Sequence, residues 1–146
     1  MTTSYDVAEY ILQQKGPITA MKLQKLVYYA QAWSLALEQD PLFEEPIEAW
    51  ANGPVVRELF DTHRGQYYVS TIPQGDPEQL TEEQKITIDA VVIYYGQKSA
   101  QWLRDRTHSE DPWRCARGLC SDGERSRNRI SLQAMEEFYS ELEEDV

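Results

Sequence analysis

Residues 19–39, TAMKLQKLVYYAQAWSLALEQ, constrain this chain more than any other stretch. Leu23, Leu26, Val27, Ala30, Trp33 and Leu37 recur at three- and four-residue steps, the spacing of one buried helical face. Met21, Tyr28, Ala32, Leu35 and Ala36 fill much of the remaining circumference. A helix that is apolar nearly all round belongs in the middle of a domain, packed from more than one side. Lys22, Gln24, Lys25 and Gln31 interrupt it well before the run of about 18 apolar residues that a membrane span requires. Lys22, Lys25 and Tyr29 form its one polar stripe, expected to face solvent with the lysine stems covering apolar surface. The alternative is that this stripe lines a groove for a partner.

Helical periodicity continues on both sides. Val7, Ala8, Tyr10, Ile11 and Leu12 predict a short first helix, stopped by Gly16 and Pro17. Thr19 is the expected N-cap of the central helix, and Asp40-Pro41 its end. Residues 43–52 read as an extended or turn-rich segment with a short strand at 47–50. Asn52-Gly53-Pro54 signals a turn followed by a helix, with Pro54 in the first helical position and Val55, Val56, Leu59 and Phe60 on its apolar face. Residues 70–80 are a loop. Thr81 and Gln84 then form a capping box, and the helix behind it is expected to bury Ile86, Ala90, Ile93 and Tyr94 before Gly96. Further helices are predicted over 99–106 and 111–119, then a polar loop over 120–129. Ser131 caps a last helix whose Met135, Phe138, Tyr139 and Leu142 make an i, i+3, i+4, i+7 stripe. The expected fold is mainly α, a compact single-domain helical bundle around a central buried helix, spanning residues 1–146 with about 5–142 ordered.

A chain of 146 residues can bury a core without staples, and Cys115 and Cys120 make no disulfide framework. The formal net charge of −11 argues against general affinity for nucleic acid or an anionic membrane. The N-terminus lacks the basic and apolar regions of a signal peptide, so the cytoplasm is the default. Seven arginines lie between Arg104 and Arg129 against five acids (Asp105, Glu110, Asp111, Asp122, Glu124), a weak local excess and the one place where nucleic acid could be touched. Glu136, Glu137, Glu141, Glu143, Glu144 and Asp145 oppose the dipole of the last helix. The tail beyond Leu142 is therefore expected to fray when alone, or to meet a basic partner.

Catalysis finds little support: the chain has no Gly-rich phosphate loop, nucleophile elbow or HExxH. His63 and His108 lack an accompanying nucleophile, so no enzyme activity, catalytic residue or cofactor is expected. His108, Glu110, Asp111, Cys115 and Cys120 sit at spacings that match no closed zinc pattern. They read instead as a helix–helix corner, with Asp111-Pro112-Trp113 opening the second helix. Around Asn52-Gly53-Pro54, Trp50 is either a core anchor or a planar binding surface.

Three blocks together resemble the Panacea domain, the family that includes SocA-like antitoxins and phage-associated proteins. The first is Met21-Lys22-Leu23-Gln24-Lys25-Leu26 with Tyr28-Tyr29-Ala30-Gln31 and Trp33. The second is Ile47-Glu48-Ala49-Trp50 with Asn52-Gly53-Pro54-Val55-Val56, and the third Thr107-His108, Glu110, Pro112-Trp113 and Ala116. The blocks occur in the family's order across residues 7–139. The resemblance implies the antitoxin of a toxin–antitoxin pair, neutralising a cognate toxin protein by binding it. An alternative is an adaptor that delivers a toxin to a protease, and a remoter one a small hydrolase using His63 or His108. On this reading partner contact falls to Trp50, Asn52, Pro54, His63, Tyr67, Tyr68, His108 and Trp113, with acidic groups contributing. Some relatives carry a separate DNA-binding module. The region of resemblance leaves no room for one here, so operator binding is not expected.

Overall fold

The computed structural model describes residues 2–121 and 123–144. Its centre is a 19-residue helix, α2 (Ala20–Glu38), capped by the Thr19 hydroxyl and ended by Gln39 in the left-handed conformation (φ 55°). Helix α1 (Ser4–Lys15), opened by a Thr3–Asp6 capping box, packs along it. So do α4 (Glu82–Tyr95), α5 (Ala100–His108) and α7 (Leu132–Glu144). Leu23, Leu26, Val27 and Ala30 are fully buried, with Tyr28 and Tyr29 on further faces, so α2 is enclosed as its all-round apolarity requires. Leu37 departs from its expected place: it is exposed on the last turn.

Lys25 and Tyr29 overturn the expectation of a solvated stripe. Lys25 is 1% exposed and Tyr29 wholly buried; only Lys22 is partly open. The reason is tertiary: a β-hairpin lies against Lys25, while Tyr95 of α4, Tyr139 of α7 and Glu110 enclose Tyr29.

The hairpin joins β2 (Ile47–Trp50) to β3 (Gly53–Val56), in the register Ile47↔Val56 to Trp50↔Gly53. A third strand, β5 (Arg129–Ile130), pairs with the other side of β2. Pro54 therefore sits in β3 and not at a helix start, and α3 (Arg57–His63) begins three residues later than expected. An edge strand tolerates proline because its missing N–H interrupts no central ladder, and β3 is an edge. A second two-stranded pair, β1 (Ile18–Thr19) with β4 (Tyr68–Val69), was not legible as strands. Two residues are too few to show alternation.

Helix α4 has the expected limits and capping box but the opposite orientation. Thr87, Ile88, Val91, Val92 and Tyr95 face the core, while Ile86, Ala90, Ile93 and Tyr94 point outward. Helix α6 (Asp111–Arg117) stops two residues short of Leu119, which is fully exposed. In α7 the stripe is inward as expected, with Met135 and Tyr139 buried and Phe138 and Leu142 packed at its margin. The helix runs through Glu144. Of the expected acidic tail Asp145 lies outside the described residues, as does Asp122 of the arginine-rich stretch.

Candidate functional site

The motif blocks meet at the hairpin. From α2, Gln24 reads both polar groups of Val56: its Oε1 accepts from the Val56 N–H at 2.9 Å and its Nε2 donates to the Val56 carbonyl at 3.3 Å. The same amide lies 3.0 Å from His63 Nε2. Burial holds the His63 imidazole below its ordinary pKa, so the ring is neutral and accepts from the amide.

One position on, the Lys25 ammonium reaches the Pro54 carbonyl at 3.4 Å. Gly53 is pressed against its stem. A Cβ on Gly53 would lie 2.4 Å from Lys25 Cε and 3.1 Å from Thr107 Oγ1, and the glycine's φ of +122° disfavours any side chain. Desolvation, and secondarily the charge of Arg104, push the Lys25 pKa down to about 7.

The third block holds the hairpin from the other side. Trp113 Nε1 donates to the Trp50 carbonyl at 2.8 Å, and Arg117 Nη1 donates to the Ala49 carbonyl at 3.0 Å. His108 stacks on Trp113 with ring centroids 3.8 Å apart, and Arg117 lies over the same indole. Glu110 turns inward and accepts from the hydroxyls of Tyr29 (2.7 Å) and Tyr139 (2.8 Å). Tyr28 extends this network to Tyr139 at 3.1 Å. Burial raises the Glu110 pKa, while the two tyrosine hydrogen bonds and Arg106 oppose that rise. Among the described residues no three His, Cys, Asp or Glu side chains converge as metal ligands would.

These tethers leave the hairpin's tip outside. Asn52 is exposed, its Oδ1 3.3 Å from Arg104 Nε. Trp50 is half-buried, edge-on to Phe60 at 5.0 Å, with its Nε1 donating to Glu48 at 2.8 Å. Both residues border a surface concavity of about 420 Å³ whose walls also include Phe60, Arg57, Arg64, Arg125 and Arg127. Four arginines and no acidic residue line it. Arg64 pairs with Asp61 at 3.0 Å, and Arg57, Arg125 and Arg127 form no ion pair among the described residues.

Of the residues expected to meet a partner, the structure brings Trp50 and Asn52 to this concavity. Pro54, His63 and Trp113 are buried and have no outward surface; they brace the hairpin. His108 is partly open behind Trp113. Tyr67 and Tyr68 are 73% and 62% exposed and stack edge-on on each other, but they do not line the concavity. The four arginines and Phe60 were missed, because Arg57 and Arg64 are far in sequence from Arg125 and Arg127. The local arginine excess over 104–129 was the only available signal.

Among the described residues no helix is long and apolar enough to cross a membrane. Neither the curated proteins nor the solved structures give a match to the chain. The family profile described as antitoxin SocA-like, Panacea domain, matches residues 23–114, which takes in Gln24, Lys25 and Tyr29, the whole hairpin, and the corner through Trp113. With that match spanning more than half its length, the chain belongs to the SocA-like Panacea domain family of antitoxins.

Proposed function

We propose that this protein is the antitoxin of a toxin–antitoxin pair and neutralises its toxin stoichiometrically, by direct binding at the hairpin face. The observation that carries the reading is the concavity beside Trp50 and Asn52. Arginines clustered with a half-buried tryptophan are the composition of an interface centre, not of ordinary surface. Arginine's planar fork suits bidentate capture of carboxylates. The toxin segment bound here is therefore acidic, with an apolar or aromatic side chain set against Trp50 and Phe60. The buried Gln24, Lys25 and Trp113 tethers keep the hairpin rigid, which lowers the entropy lost on association. Masking needs no bond to be made or broken by this chain, so no catalytic residue, cofactor or turnover is part of the proposal.

The test is co-expression with the product of the neighbouring open reading frame. Growth is rescued by the wild-type chain, and purified components form a stable complex. Charge reversal at Arg57 and Arg125 together abolishes both effects while leaving thermal stability unchanged. A neighbour that is harmless alone, or equally toxic with this protein present, overturns the reading. Neutralisation that survives the double reversal would move the toxin site elsewhere on the surface.

A further inference from the structure

The outward face of α4 is an apolar feature that the hairpin site does not use. Ile86 and Ile93 are 67% and 68% exposed and Tyr94 is 54% exposed, with the exposed Ala90 between them. At 100° per residue these four, with Glu83, fall within a single arc of the helix. An isolated exposed isoleucine needs no explanation, but a continuous apolar stripe on a short helix marks an interaction surface.

We infer that this stripe pairs with the same stripe of a second copy, the two α4 helices crossing antiparallel about a two-fold axis at Ala90. The assignment rests on complementarity within the stripe. In an antiparallel pair centred on residue 90, Ile86 meets the second copy's Ile93, and the small Ala90 side chains meet at the crossing, where they permit close approach. Glu83 then meets Lys98 of the other copy. Both members of each pair lie on the same flank, as a two-fold axis in the interface plane requires. The Lys98 ammonium is held on that flank already, 5.6 Å from the centre of the Tyr94 ring and 4.9 Å from that of Trp102. The Ile86–Ile93 and Glu83–Lys98 contacts each occur twice, and the Ala90 contact lies on the axis. A toxin segment would have no reason to match a charge pattern symmetric about one alanine. Because each copy carries a formal net charge of −11, the pair forms against long-range repulsion. Moderate salt should therefore strengthen it, the reverse of what an arginine–carboxylate interface does.

The test is sedimentation equilibrium of the purified full chain alone, with no toxin present, so its outcome is independent of the hairpin site. The expected result is a mass that rises with concentration from 17.0 kDa towards twice that value. Ile86→Glu with Ile93→Glu leaves a monomer of unchanged circular dichroism and melting temperature. Glu83→Lys alone, or Lys98→Glu alone, weakens association about fivefold, and the two changes combined restore it. A wild-type chain that stays monomeric at all concentrations overturns the proposal. So does a dimer that survives the double glutamate variant, or a charge swap without recovery.

Discussion

Lys25 is the residue whose placement has the clearest physical consequence. Its pKa is pushed down to about 7 inside the fold, against an ordinary value near 10.4 in the unfolded chain. Between those values the unfolded chain holds a proton that the folded protein has released. Stability contributed by this site therefore rises with pH across that window, and below pH 7 it is constant at its lowest. From pH 7 to pH 9 the gain should be about 2 kcal/mol in urea titrations, and Lys25→Met should remove that slope. Gly53 is bound to the same contact. Gly53→Ala forces a methyl against Lys25 Cε in a backbone conformation that alanine resists. A loss of about 1–3 kcal/mol is expected in denaturant titration, with partial recovery when Lys25 is shortened to Ala, since that relieves the clash and leaves the backbone strain.

Among the elements, the hairpin and α4 show what helical and turn periodicity can and cannot decide. Residues 47–50 were legible as a strand and Asn52-Gly53 as a turn, but Pro54 satisfies a helix start and an edge strand equally well in isolation. Only pairing with Ala49, and the clasp of Val56 by Gln24, selects the strand. Gln24→Ala strands both Val56 groups and leaves His63 without its partner amide. About 2–3 kcal/mol of stability should be lost, measured by the midpoint of urea unfolding. In α4 both faces are apolar at helical spacing, one through Ile86, Ala90, Ile93 and Tyr94, the other through Ile88, Val91, Val92 and Tyr95. Periodicity locates such a helix without saying which face turns inward. The capping box at Thr81 and the Thr19 N-cap were readable because capping is local chemistry between residues three apart.

For the whole molecule, charge is the property that sequence totals conceal. An overall balance of −11 coexists with a concavity lined by four arginines, so the site's field opposes that of the surface around it. Association with an acidic toxin surface should slow about tenfold between 0.05 and 0.5 M salt, read in stopped-flow mixing, while dissociation changes little. The sequence alone determined the limits of the central helix, the first and last helices, the corner at His108–Trp113 and the family, because each depends on caps, periodicity or motif order within short reach. It also marked Trp50 and Asn52 as candidates. Tertiary structure decided that Lys25 and Tyr29 are interior, that Pro54, His63 and Trp113 are buried, and that Arg57, Arg64, Arg125 and Arg127 share one wall. Burial and the convergence of distant side chains are set by packing between elements, and no local pattern encodes which element will cover which face.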